Sequence, residues 1–402
     1  MRVLYGLILL GMTTLAMGEE TSLFRIGVIG TDTSHVPAFV QLFNDPNAEG
    51  LYRQMEVTAA YKGGMIDNPD SWNRRDNYAE QIEKKGVKIY DSLEEMISQV
   101  DGILLESVDG RPHWEYAKPV LEAGKPLFID KPMAGDLVDV VRIFQLAEKR
   151  NVPVFSASSL RYSEAMQKIR QDSPYGKTHG VTAWSPCSLN EYHPDFYWYG
   201  IHGVETLFTM MGPGCVSVSR THTENYDLAV GVWEDGRIGT FRGIRKGASG
   251  YGGLIFGEKS IVMDGKYDGY KPLCDQIALF FEQKKSPIAN RETLEIMAFM
   301  SAADESKKLQ GKHVTLQEVL EKAQSATVKT FTLKLSAEEK MTLDDQAVTE
   351  KDLPALLALP ADAENTYYRV ILVLEKGVSQ EWAQKVAAQL GDALLVRTIL
   401  LP

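Results

Sequence analysis

The sequence predicts an α/β protein in three parts: a doubly wound parallel sheet, an α+β unit on a largely antiparallel sheet, and a small β/α unit at the C-terminus. Three observations predict it. Between residues 23 and 158 short apolar runs alternate with stretches of helical period, the texture of parallel strands buried on both faces by crossover helices. From about residue 175 the strand-like runs lengthen, and Asp235-Gly236 supplies a hairpin turn. After residue 327 a second β/α alternation begins, with a Pro/Ala/Asp-rich loop at 359–365 inside it.

Composition sets the outer limits. At about 150 residues per domain, 402 residues make two or three domains. Hydrophobic residues at 44% and charged residues at 24% exclude a disordered, collagenous or multi-span membrane chain. The net charge of −11, without a Lys/Arg cluster, argues against nucleic acid as a partner. Cys187, Cys215 and Cys274 cannot all pair, so no disulfide framework holds the fold.

In chain order, residues 1–18 place Arg2 before an apolar run at 3–10 and end on Ala16-Met17-Gly18, the layout of a secretory signal peptide. With no Arg-Arg pair and no lipid-anchor cysteine, Sec export to the periplasm or beyond is expected. Strands are expected at 24–30, 56–61, 102–107, 126–130 and 153–158, and a helix over 135–150, where Leu137, Val140, Val141, Phe144 and Ala147 form one apolar stripe. These elements define a first domain, 19–155. Strands at 180–184, 217–223, 228–234, 238–242, 253–256 and 260–264, with a helix at 291–310, define a second, 156–326. The tail, 327–402, offers strands at 330–335, 368–374 and 394–400 and helices near 350–359 and 379–390.

Three stretches carry candidate chemistry. Gly30-Thr31-Asp32-Thr33-Ser34-His35 ends the first strand and opens a helix, where a dinucleotide site wants G-x-G-x-x-G. Asp32 stands at the second glycine and His35 at the third. A carboxylate there repels a diphosphate, and Asp32, Thr33 and Ser34 are equally N-cap residue types. After the second strand, Ala60-Tyr61-Lys62-Gly63 holds no ribose-binding carboxylate, and Lys62 meets either a 2′-phosphate or solvent. The second stretch runs from Glu106 through His113, then Glu122-Ala123-Gly124-Lys125-Pro126, to Ile129-Asp130-Lys131-Pro132. A buried lysine such as Lys131 polarises a nearby hydroxyl or relays its proton. The third, residues 190–205, joins aromatics to carboxylates and suits carbohydrate recognition. His193, Asp195, His202 and Glu205 are ligand types without a dense metal motif, so no metal is expected.

The second and third stretches resemble the Gfo/Idh/MocA oxidoreductases, the glucose–fructose oxidoreductase and inositol dehydrogenase family, over roughly residues 23–320. The family's Glu-Lys-Pro reads Asp130-Lys131-Pro132 here. Its Asp-x-Gly-x-His-x-x-Asp matches at Gly200 and His202, with Glu205 at the second acidic position and Trp198 replacing the first Asp. The resemblance implies a Rossmann-like first domain binding NAD or NADP through Gly30, Thr31, Asp32, Thr33, Ser34, His35, Lys62, Glu106, His113, Lys131 and Arg161. It implies hydride transfer at a sugar or polyol carbinol in a homo-oligomer. His202 is then the acid/base, Lys131 polarises the oxygen, and Tyr197, Trp198, Tyr199 and Glu205 hold the substrate. The broken glycine pattern, Trp198 and export without cofactor support an alternative, a non-catalytic carbohydrate-binding or envelope interaction protein. The tail, through 331–335, 348–353 and 370–379, resembles the periplasmic domain of ExbD/TolR proteins, which implies a partner-binding module in the cell envelope.

Overall fold

In the computed structural model, which describes residues 23–264, 267–356, 365–390 and 395–400, the first apolar runs become a six-stranded sheet. Its strands are β1 (Phe24–Ile29), β2 (Met55–Tyr61), β3 (Lys88–Tyr90), β4 (Gly102–Leu105), β5 (Leu127–Asp130) and β6 (Val154–Ala157). All pair in parallel, in the order β3-β2-β1-β4-β5-β6. The order reverses between β1 and β4, and there the carboxyl ends of the strands open a crevice. Strands β4, β5 and β6 are buried at every residue, so they read as unbroken apolar runs rather than alternating ones.

Helices α1 (His35–Phe43) and α2 (Pro69–Glu83) pack into the core on one face; α3 (Leu93–Ser98), α4 (His113–Glu122) and α5 (Leu137–Arg150) pack on the other. The stripe on α5 is buried as expected, and each of its larger side chains contributes roughly 1.5–3 kcal/mol. The helix starts at Leu137 because the Asp136 side chain caps it, accepting the Asp139 amide at 3.0 Å. Strand β3 and helix α2 lie outside the expected elements. The first is three half-exposed residues at a sheet edge, and the second is almost wholly polar on its surface, so neither carries much periodic signal.

After α6 (Glu164–Asp172), the second sheet comprises β7 (Thr178–Pro186), β8 (Cys215–His222), β9 (Tyr226–Trp233), β10 (Ile238–Ile244), β11 (Gly252–Gly257), β12 (Ile261–Asp264) and β13 (Val314–Thr315). It is antiparallel except for β7 and β10, which run parallel. The Asp235-Gly236 hairpin is present, with Gly236 at φ 83°. Helix α7 (Ile201–Met211) lies so close on this sheet that a Cβ at Gly203 would come within 2.2 Å of the Phe241 ring. Helices α8 (Lys271–Gln283), α9 (Asn290–Lys308) and α10 (Leu316–Gln324) complete the unit. All three cysteines are buried, unpaired thiols.

The third sheet, ordered β16-β15-β14-β17-β18, uses β14 (Thr327–Leu335), β15 (Met341–Leu343), β16 (Gln346–Val348), β17 (Thr366–Leu374) and β18 (Leu395–Leu400), with α11 (Leu353–Leu356) and α12 (Gln380–Gln389). Its core includes Ile66 and is packed by Trp72, both from the first sheet's β2–α2 region. Buried Arg369 on β17 reaches Asp136 at 2.6 Å. The segment at 1–18 and most of the 359–365 loop lie outside the described residues.

Candidate active site

Ligands of an open α/β sheet bind at the carboxyl ends of its strands, and a cavity of about 490 Å³ lies there. Its walls include Thr33, Ser34 and His35 where α1 begins, Lys131 just past β5, Trp198 and Tyr199 from the π-helical turn Phe196–Gly200, and His202 in the first turn of α7. Residues distant in sequence complete it: Arg74 from α2, Ser159 after β6, and Tyr251, Tyr267 and Tyr270 from the second unit. A larger cleft of about 1330 Å³, lined by Phe24, Asp101 and Pro153, sits at the opposite, amino edge of the sheet, away from these groups.

His202 is fixed by its Nδ1, 2.8 Å from Ser158 Oγ, and by ring contacts with Tyr199 and Tyr251, each 5.6 Å between centroids. Burial, reinforced by the charge of Lys131, pushes its pKa down to about 3. It is therefore neutral at working pH, with Nε2 able to take a proton. Behind Lys131 stand two buried carboxylates. Burial and then the neighbouring Asp130 push Glu106 well above the usual carboxylate range. Burial acts on Asp130 in the same direction, but His35 and Lys131 outweigh it and hold it at about 2.

The face formed by Thr33, Ser34, Lys131 and His202 is open and suits the nicotinamide end of a dinucleotide. At the ends of β2 and β3 a second cavity of about 240 Å³ opens, with Tyr61, Lys62, Tyr90 and Asp91 in its walls. The β2–α2 and β4–α4 loops are bonded to each other. Asn68 donates to Asp109 at 2.9 Å across the crevice, and the Arg111 guanidinium donates to Asp67 at 2.8 and 2.9 Å and to Asp109 at 2.7 Å. The Gly30 and Thr31 amides go to the Tyr61 and Lys62 carbonyls, both at 2.9 Å. Asp32 accepts the Val108 amide at 3.1 Å and the Ser71 hydroxyl. Gly30 is required for close packing, since at φ 87° a Cβ would sit 2.5 Å from the Ser107 nitrogen.

Of the expected site residues, Thr33, Ser34, His35, Lys131, Trp198, Tyr199 and His202 are brought together, with Glu106 behind them. The others lie elsewhere. Lys62 pairs with Asp76 at 2.9 Å. His113 is buried, its ring nitrogens 3.1 and 3.0 Å from the Met133 and Ser107 carbonyls. Arg161 is buried in ion pairs with Glu205 and, at 2.7 Å, Glu292, so neither Arg161 nor Glu205 is free for a ligand. Tyr197 turns to Ser301 at 2.8 Å. His193 and Asp195 separate, the first against Asp109 and the second against Arg220. The tyrosine wall and Arg74 carry no sequence signal, because single tyrosines in loops and one arginine on a polar helix belong to no motif.

Comparison with known proteins agrees with this geometry. Residues 24–158 match the Gfo/Idh/MocA model, an oxidoreductase family with an NAD-binding Rossmann fold. The uncharacterized oxidoreductase YhhX of Escherichia coli (strain K12) is 23% identical over 133 residues, 30% of this chain; the match spans only 38% of that relative. A probable dehydrogenase from Thermotoga maritima superposes with a TM-score of 0.59 at 19% identity, covering 74% of this chain and 100% of that one. The Lactobacillus casei myo-inositol dehydrogenase, solved with NAD(H) and myo-inositol, gives 0.57 at 14% identity, covering 73% and 96%. The Lactobacillus plantarum myo-inositol 2-dehydrogenase gives 0.60 at 16%, covering 73% and 99%. Residues 24–158 thus carry the NAD-binding Rossmann fold of the Gfo/Idh/MocA oxidoreductases, and about three quarters of the chain shares the fold of such dehydrogenases.

Proposed function

We propose that the chain is an NAD(P)-dependent oxidoreductase acting at a hydroxyl-bearing carbon of a sugar or polyol. One observation carries the reading: Lys131 and His202, from different units of the fold, line one cavity at the carboxyl ends of the parallel strands. Thr33, Ser34 and Arg74 would hold the nicotinamide-side phosphate, and the bound cofactor accepts or supplies the hydride. Neutral His202 takes the hydroxyl proton at Nε2, while Ser158 holds its other nitrogen. The Lys131 ammonium polarises the substrate oxygen. Trp198, Tyr199 and the tyrosine wall offer faces on which a sugar ring stacks and from which water is displaced.

Titration of residues 19–402 with NAD⁺, NADH, NADP⁺ and NADPH, followed by tryptophan emission and energy transfer to the reduced forms, tests this. Micromolar binding, then turnover of a sugar or polyol, is expected; no binding at millimolar concentration would refute it. The Asp32 carboxylate in the glycine loop and Trp198 at the family's first acidic position favour a second reading, a protein that binds a sugar or polyol without turning it over. That reading requires saturable sugar binding indifferent to every dinucleotide.

The proposal extends to place and assembly: export through residues 1–18, a homo-oligomer, and an ExbD/TolR-like tail at 327–402 that engages an envelope protein. Among the described residues no helix is long and apolar enough to cross a membrane. Finding the mature protein in the cytoplasmic fraction, with Met1 retained, would defeat the export part.

A further inference from the structure

Behind the cavity wall three side chains from three strand ends converge: His35 after β1, Glu106 after β4 and Asp130 closing β5. His35 Nδ1 lies 3.0 Å from Asp130 Oδ2 and 3.9 Å from Glu106 Oε2. One ligand atom from each residue lies within 4.8 Å of the other two. Glu106 is wholly buried, and neither of its oxygens has a hydrogen-bond partner. A carboxylate taken out of water is normally hydrogen-bonded, ion-paired or bound to a metal. The nearest cation, Lys131, stands 3.9 Å from Asp130.

We propose that His35, Glu106 and Asp130 bind one divalent transition-metal ion. One imidazole and two carboxylates form a donor set for zinc, manganese or ferrous iron. Thiolate sites need cysteine, and magnesium and calcium sites are built from oxygen alone. Ligand atoms at about 2.1 Å from a common ion lie roughly 3–3.5 Å apart. The His35–Asp130 pair already has that spacing, and Glu106 reaches it by a swing of a carboxylate that no hydrogen bond restrains. The His35 ring is held between Phe39 and Tyr270, at centroid separations of 5.8 and 4.5 Å. Three protein ligands leave coordination positions open. His35 also lines the cavity, so an ion on its buried Nδ1 would stand directly behind the wall that Lys131 and His202 share.

The test uses the full mature chain, stripped with chelator and titrated calorimetrically with Zn²⁺, Mn²⁺, Co²⁺ and Mg²⁺. One transition-metal ion per chain is expected, with a rise in melting temperature, Co²⁺ absorption in the visible range, and Mg²⁺ bound far more weakly. Glu106→Gln keeps the side chain's shape and should lower metal affinity by at least ~100-fold, while the metal-free variant melts no lower than the metal-free parent. His35→Gln is the second variant and decides the matter if Glu106→Gln does not fold. The proposal fails if the stripped chain takes up no ion at one per chain, or if both variants bind as the parent does. In either case the three groups form a closed carboxyl–imidazole network. The assay contains neither dinucleotide nor sugar, so its failure leaves the oxidoreductase reading untouched.

Discussion

At the scale of single residues, burial decides what His202 and Asp32 can do. With a pKa near 3, His202 stays neutral through the physiological range, so a rate that depends on it should show no acid limb between about pH 8 and pH 5. His202→Ala should lower kcat by about 10²–10⁴-fold, and an unchanged kcat would remove it from the reaction. Asp32 is pushed the other way, to about 6, chiefly by burial. Its folded-state pKa exceeds the unfolded value of 3.8, so its contribution to stability is complete below that value and is lost as pH rises through 6. Asp32→Asn cannot ionise. Its melting temperature relative to the parent should therefore improve between about pH 4 and pH 8; a difference equal at both would show that Asp32 does not titrate with folding. The sequence marked Asp32 as a misfit in a phosphate loop, but only the fold shows why it is tolerated: Val108 from the β4–α4 loop and Ser71 from the first turn of α2 receive it.

Among the elements, the decisive feature is the bond network joining the β2–α2 loop to the β4–α4 loop. Asp109 is wholly buried, and although burial alone raises a carboxyl, Arg111 and His193 outweigh it and hold Asp109 well below the usual range. Asp109→Ala takes a buried carboxylate partner from His193 and from Arg111, which keeps only Asp67, and should cost about 3–5 kcal/mol, read from the urea midpoint. Asp67→Asn is milder, since Arg111 keeps Asp109, and it loosens the bridge between the two loops. Asp67→Asn should lower the urea midpoint by less than Asp109→Ala does; an equal or larger loss would show that Asp67 carries the pair. None of this was legible in the sequence. Long apolar strands and the α5 stripe announce themselves by periodicity, whereas a polar network between two loops has no period at all.

For the molecule as a whole, the third sheet is a structural neighbour of the first and not a free appendage. Ile66 and Trp72 join its core, Gln384 donates to the Ile66 carbonyl at 3.3 Å, and Arg369 reaches Asp136. A chain ending at residue 326 should melt lower and bind a hydrophobic dye, because it uncovers Ile66 and Trp72; an unaltered melting temperature would mean the two parts are energetically independent. The β2–α2 region is thus backed from outside by the tail. By itself the sequence determined the doubly wound sheet, the antiparallel-rich second sheet and the identity of Lys131 and His202 as candidates, because strand burial, helix period and short motifs are local properties of the chain. Tertiary structure alone decided which candidates meet. It joined His35, Glu106 and Asp130, from residues 35 to 130, at one point, drew Arg161 and Glu205 into a buried ion pair, and turned Tyr197 away. The physical reason is that a buried polar group must find its partner in space, and the partner's place in the sequence is set by topology rather than by any local pattern.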